Sequence, residues 1–392
     1  MKMKIMTHFC NCAVLALLSL AACTEIPGDK SKPEWKESAS GVWEISVGKP
    51  EKLNLLSELG LHPKWDAINA MPKADLPVDR DEIRFEEVDG KTYIRFPLDK
   101  GEKIFGLGLN FKTVEQRGRI LELHVDHYGG KDNGRTHAPV PFFVSSKGYG
   151  AFINSARYIK AYVGTGVRKD TKNPPEVQDR NTDPGWSAQP YSDNLEFLVP
   201  AEGVEVVLFA GQDMQDVVRR FNLFNGGGVL PPKWGLGFWH RVPTLFTDRQ
   251  VQDEIAEFRK RGFPLTVIGL EPGWMSRAYP CTYEWDATRF PEPGKFVDDL
   301  LQKHIRTNLW FNPGVSPECE IRDAIEPYTA SHTEWNGLVP DYRMPEARRI
   351  MLDHFKKHQL DLGVSGYKMD ENDGYDNWLW PDVATFPSGT PA

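Results

Sequence analysis

Residues Pro264 to Trp274 read PLTVIGLEPGW: an apolar, partly β-branched run that closes on Glu271, with Pro and Gly immediately behind it. A run this short, bounded by turn residues, reads as a buried strand. Its neighbours decide which sheet it joins. Before it, WGLGFWH (Trp234 to His240) reads as a strand, and Asp248 to Arg261, opened by Thr247, sets Val251, Ile255 and Phe258 on one helical face. After it come a helix over Phe296 to His304, a strand in TNLWFNPG, a helix over Pro345 to Leu360 carrying Ile350, Leu352, Phe355 and Leu360, and a strand in GVSGYKMD. Strands and helices alternating in this way build parallel βαβ units. No GxGxxG follows the first strand, so the order fits the first half of a (β/α)8 TIM-type barrel and not a dinucleotide-binding sheet.

Upstream the texture differs. VWEISV, TYIRF, LELHVDHY, PFFVSS, GAFINS, YIKAYVG, LEFLVP and VEVVLFAG alternate with period two between Gly, Pro, Asp and Asn clusters, the pattern of a β-sandwich. GGGVLPPKW, from Gly226, is the joint between the two textures. The expected organisation is a leader (1–22), a tether (23–40), a β-sandwich (41–225) and a partial barrel (226–392). A complete barrel takes about 250 residues, so the chain is expected to be truncated halfway round, with strand edges and an apolar interior left open.

The 392 residues, 40% apolar and 26% charged, are too many for a small single domain and too apolar for a disordered chain. A formal charge of -8 leaves no basic footprint and argues against a nucleic-acid partner. Twelve Trp and twelve Tyr exceed what a core of this size needs, and flat aromatic faces suit sugars. The N-terminus, MKMKIMTHFCNCAVLALLSLAAC, pairs early lysines with an apolar run from Ala13 to Ala22 that is too short to span a bilayer. It reads as a secretory signal, and Leu20-Ala21-Ala22-Cys23 resembles a bacterial lipobox in which Cys23 is lipidated; the alternative is an ordinary cut near Ala22. The expected location is therefore the periplasm or the cell surface, with the membrane touched only through the lipid. Cys281 and Cys319 remain in the folded part, and spacing does not say whether they pair.

In a barrel the active site lies at the C-terminal ends of the strands, which makes His240, Arg241, Glu271, Asn312 and Asp370 the candidates. Side chains alternate along a strand, so Lys368 and Asp370 share one face while Met369 and Glu371 share the other. Lys368 beside Asp370 keeps that carboxylate ionised, as a nucleophile requires; the alternative is an inward ion pair that only closes the barrel. A metal loop fails on spacing, because an EF-hand begun at Asp370 would place Tyr375 where Gly belongs and Pro381 where Glu belongs. HExxH and paired CxxC motifs are absent too, and no metal or other cofactor is expected. Asp373, Asp376 and Asp382 read as ordinary loop residues.

LPPKWGLGFW, PLTVIGLEPGW, YEWDATRFPEP, IRTNLWFNPGVSP and GVSGYKMDEND, in this order, resemble glycoside hydrolase family 31, and KIFGLGLNF and PVPFFVSSKGYGAFINS resemble its N-terminal sandwich. The resemblance implies a retaining α-glycosidase acting on α-linked oligosaccharide or polysaccharide. Asp370 matches the nucleophile, Trp310 an aromatic of the sugar pocket, and Trp285, Asp286, Arg289 and Phe290 a loop after the second strand. Glu271 stands where the family often has a sugar-gripping aspartate. The Lys-X-Asp form, with Lys368, resembles the α-xylosidase and α-galactosidase branches, and Trp378 and Trp380 stand as sugar platforms or as packing under a long loop. The family's acid/base carboxylate lies well downstream of the nucleophile, so it is expected beyond Ala392. A non-enzymatic glycan-binding lipoprotein and an inactive fragment are the rival expectations.

Overall fold

The structure, a computed structural model, describes residues 33–51, 61–125, 134–136, 138–171, 174–188, 191–371 and 384–389. The leader and Cys23, and Asp373, Asp376, Trp378, Trp380 and Asp382, lie outside the described residues. The N-terminal part runs through β1 (Lys36–Ala39), β2 (Val42–Gly48), α1 (Trp65–Asn69), β3 (Arg84–Val88), β4 (Lys91–Pro97), β5 (Ile104–Gly106), β6 (Arg119–Leu123), β7 (Phe142–Ser145), β8 (Tyr149–Asn154), β9 (Ile159–Val163), β10 (Asn194–Val199), β11 (Gly203–Ala210) and α2 (Met214–Phe224). Two antiparallel sheets result, ordered β1-β2-β11-β8-β7-β5 and β3-β4-β10-β9-β6. Ile94, Phe96, Phe143, Ile153, Phe197 and Leu208 meet between them in one apolar core. The tether expected to run to residue 40 ends sooner, because Lys36–Ala39 pairs with β2.

Why β8 is buried along nearly its whole length follows from α2. Tyr149, Ala151 and Ile153 face the sandwich core, while Phe152 faces a second apolar cluster with Phe142, Phe209, Val217 and Phe224. Helix α2 covers that outer face, and Phe221 stacks on Phe142 with ring centroids 3.8 Å apart. A Cβ at Gly150 would sit 2.9 Å from Val217 Cγ1, so the missing side chain is what lets the helix lie this close. The helix is a correction to the sequence reading, and it is the last element before the joint.

The second part is a four-stranded parallel sheet, β12 (Phe238–Arg241), β13 (Leu265–Leu270), β14 (Arg306–Phe311) and β17 (Gly366–Met369), in sequential order. Helices α3 (Asp248–Lys260), α4 (Pro293–Gln302) and α6 (Pro345–His358) make the crossovers. This is the barrel's winding over the described strands. The first strand starts later than expected, because Lys233–Leu236 forms a 3-10 turn. Helix α3 begins on a capping box, Thr247 with Gln250, and buries Val251 and Ile255. Helix α6 buries Ala347, Met351 and His354, while the expected core residue Leu352 is 59% exposed. Between β14 and α6 the chain adds a short helix α5 (Arg322–Ile325) and a hairpin of β15 (Thr329–Glu334) and β16 (Gly337–Pro340) that the sequence reading missed.

Phe197 is fully buried between the sheets and meets Phe96 and Phe143 ring to ring. Phe197→Ala should destabilise the chain by about 3–5 kcal/mol, read as a lowered midpoint in chemical denaturation.

Candidate active site

In-phase pairing places inward residues in levels. Arg241, Gly269, Asn308 and Gly366 lie side by side across the four strands. A Cβ at Gly269 would sit 2.6 Å from Arg241 Nη1, so the glycine makes room for the guanidinium. Arg241 fills that room, donating to Glu271 Oε1, to Asn308 Oδ1 at 2.8 Å and to the Leu270 carbonyl at 2.9 Å. One level higher, Trp310 pairs with Lys368, and Glu271 follows Leu270 at the end of β13. Lys368 Nζ stands 2.9 Å from Asp370 Oδ2 and 3.8 Å from Glu271 Oε2. The expected sharing of a face by Lys368 and Asp370 is therefore what the strand does.

Asp370 sits just past β17, its backbone N–H donating to the Phe311 carbonyl at 3.0 Å. Trp310 Nε1 donates to Asp370 Oδ2 at 2.8 Å, and Trp274 Nε1 donates to the Trp310 carbonyl at 2.8 Å. Burial alone would raise the Asp370 carboxyl; the hydrogen bonds from Lys368 and Trp310 outweigh it and hold the group below the usual aspartate range. The carboxylate borders a cavity of about 440 Å³ lined also by Glu271, Met275, Tyr279, Arg289 and Trp310. Gly273 closes one wall, where a Cβ would meet the Thr244 carbonyl at 1.9 Å.

Other candidates fall elsewhere. His240 points outward, its Nε2 3.2 Å from Glu254 on α3. Asn312 is buried and takes hydrogen bonds from Cys281 Sγ and the Gly314 N–H. Both cysteines are free, and burial pushes their thiols up, to about 12 at Cys281 and about 11 at Cys319. Asp286 caps its own turn and pairs with Arg289, which donates to the Gly273 and Met275 carbonyls. Trp285 donates to the His358 carbonyl, and Phe290 is buried. That loop is built to hold shape, although Arg289 also reaches the cavity wall. Trp310 is only 1% exposed, so it offers a hydrogen bond more than a platform. The open aromatic beside it is Tyr279, 51% exposed with its ring centroid 5.4 Å away. Tyr279, Asn308 and the central role of Arg241 were missed; the signal for the last was a strand-end arginine facing the glycine of PLTVIGL.

Among the described residues, three carboxylates near Asp370 have partners of their own. Glu271 accepts from Arg241 and faces Lys368, Asp286 pairs with Arg289, and Glu371 hydrogen-bonds Tyr279.

A sandwich followed by parallel barrel strands, with a cation-held aspartate at a strand's C-terminal end, places the chain among proteins with a barrel-type site at the strand ends. Two family models match the chain: the glycosyl hydrolases family 31 TIM-barrel domain over residues 228–386, and the glycosyl hydrolase 31 N-terminal galactose mutarotase-like domain over 29–160. The chain belongs to glycoside hydrolase family 31. It is similar to an alpha-xylosidase of Emericella nidulans, 26% identical over 73% of this chain and 35% of that enzyme. An alpha-glucosidase of Saccharolobus solfataricus is 24% identical over 86% of this chain and 46% of that enzyme. Among solved structures, the family 31 dextranase of Flavobacterium johnsoniae in complex with glucose superposes with a TM-score of 0.65, at 19% identity, covering 85% of this chain and 44% of that one. The chain thus spans less than half the length of these relatives.

Replacing Lys368 removes the ammonium but leaves the strand. In Lys368→Met the Asp370 carboxyl should titrate higher than in the parent, because burial then acts with less opposition. Carbon-detected NMR titration of side-chain carboxyls checks this.

Proposed function

We propose that the chain carries the nucleophile half of a retaining α-glycosidase that acts on terminal α-linked sugars of an oligosaccharide or polysaccharide. The observation that carries the reading is Asp370, held by Lys368 and Trp310 at the mouth of the cavity. In this mechanism Asp370 attacks the anomeric carbon, the leaving oxygen takes a proton from a second carboxyl group, and water then releases the sugar with its α configuration retained. The second group would stand about 5–5.5 Å from the nucleophile, and none of Glu271, Asp286 and Glu371 is assigned to it. The names of the relatives favour α-xylose or α-glucose as the sugar; a lean towards the α-galactosidase branch would rest on ENDGYDNWLWPD (371–382) followed by FPSG, and residues 372–382 lie outside the described ones.

A leaving group that needs no proton tests the nucleophile by itself. Incubation with fluorinated α-xylosyl and α-glucosyl fluorides should attach one sugar to the peptide containing Asp370, and Asp370→Ala should abolish the adduct. Since the Asp370 carboxyl lies below its ordinary range, labelling should persist as pH falls to the free aspartate value of about 3.9 and fade only beneath it. Mass spectrometry finding the sugar on another residue, or equal labelling in Asp370→Ala, sinks the assignment. Sugar binding without any adduct would favour the glycan-binding alternative.

The leader supports a second proposal, that Cys23 bears the lipid that anchors an exported protein at the membrane. Cells fed an alkyne-tagged fatty acid should label the chain, and Cys23→Ala should lose the label.

A further inference from the structure

Where α6 packs against the loops that follow β13 and β14 lies a cluster that the glycosidase reading does not use. His354 and His358 are one turn apart on one face of the helix, with ring centroids 4.5 Å apart. Glu320, in the loop between β14 and α5, reaches both: its Oε1 lies 3.2 Å from His354 Nδ1 and 2.9 Å from His358 Nε2.

The His354 ring can be assigned by elimination. Its side chain is completely buried, and its Nε2 lies 3.1 Å from the Thr282 carbonyl, which can only accept, so Nε2 carries the hydrogen. In the neutral ring Nδ1 is then a bare lone pair aimed at a carboxylate oxygen. Two acceptors 3.2 Å apart repel each other unless a cation lies between them. A metal ion between Nδ1 and Oε1 would turn that repulsion into shared ligation, with the Lys357 ammonium, 2.8 Å from both Glu320 oxygens, as the competing cation.

We propose that Glu320 Oε1, His354 Nδ1 and His358 Nε2 bind a divalent ion of the zinc class, with water in the fourth position. The three atoms lie within 4.8 Å of one another, and tetrahedral bonds of about 2.0–2.2 Å require edges of about 3.3 Å. The outer contacts match those of a metal site: a ligating histidine commonly donates its other N–H to a backbone carbonyl, as His354 does to Thr282. Lys357 Nζ lies 2.8 Å from both Glu320 oxygens and can keep Oε2 while Oε1 turns to the ion. The loop carrying Glu320 would thereby be fixed to α6, which already holds the loop after β13 through Trp285 Nε1 to the His358 carbonyl and Gln359 Nε2 to the Tyr283 carbonyl. The ion would brace two loops that follow the site-bearing strands, without touching the cavity.

The test uses the full chain purified without an affinity tag and stripped with a chelator. Zinc should bind in one equivalent by calorimetry and raise the unfolding temperature, and cobalt(II) should give the intense visible absorption of a tetrahedral site. Outer-shell changes commonly cost about 10–100-fold in affinity, so removing a ligand in His358→Ala or Glu320→Gln should cost at least that. Lys357→Ala should retain binding. Both ligand variants change partly exposed side chains, and their metal-free unfolding temperatures report whether they fold. No binding by the parent chain, unchanged affinity in both ligand variants, or binding that occurs only in Lys357→Ala would each overturn the proposal, the last by showing that the native cluster is a lysine ion pair.

Discussion

One ammonium between two carboxylates is the interaction on which the site depends. Lys368 Nζ faces Asp370 at 2.9 Å and Glu271 at 3.8 Å from adjacent levels of the sheet interior. Two carboxylates so placed would repel, and one of them would tend to take up a proton. Lys368 removes that conflict from one side and Arg241 from the other, by donating to Glu271. The strands supply this alternation of charge at no cost in loop order, since every participant sits on or immediately after a strand. A network across β12, β13, β14 and β17 therefore doubles as a clamp on their relative height.

The same logic explains which parts were legible in the sequence. PLTVIGL and TNLWF could be read as parallel strands because both faces of such a sheet are covered, which demands an unbroken apolar run. GYKMD could be read as to face, since alternation is a property of the backbone, and the structure keeps Lys368 and Asp370 together. Helix ends were less legible: α4 starts at Pro293, three residues ahead of the first residue whose apolar spacing announced it. Leu352 misled for a related reason. Apolar character alone put it in the core, whereas the buried stripe of α6 runs through Ala347, Met351 and His354.

Two elements were missed although their signals were present. In TASHTEWNGLVP the first strand is polar and the second only four residues long, so no hydrophobic pattern marks them, but the turn chemistry does: Trp335 and Asn336 both have positive φ, and Gly337 follows. In α2, Asp213 caps the helix through the Asp216 N–H, and Val217, Phe221 and Phe224 recur at helical spacing. Its consequence reaches β8, where Phe152 faces the helix while Ala151 and Ile153 face the sandwich. Long-range effects of this kind, like the pairing of Arg241 with a glycine on the next strand, depend on register. Register is set by the whole sheet, so no single stretch of sequence displays it.

Register also explains why the aspartate and the aromatic beside it work as one unit. Trp310 is buried because β14 is interior, and its indole N–H reaches Asp370 because β14 and β17 pair with Trp310 opposite Lys368. Trp274, fixed in the turn after β13, in turn holds the Trp310 carbonyl. Besides Lys368, the carboxylate is thus placed by Trp310 and, through it, Trp274, two indoles, on or just after neighbouring strands, that also fill the core. Displacing the Asp370 carboxylate would require breaking packing as well as polar contacts. A group held this way has little freedom left to lose, which is the condition under which an enforced geometry can lower a barrier.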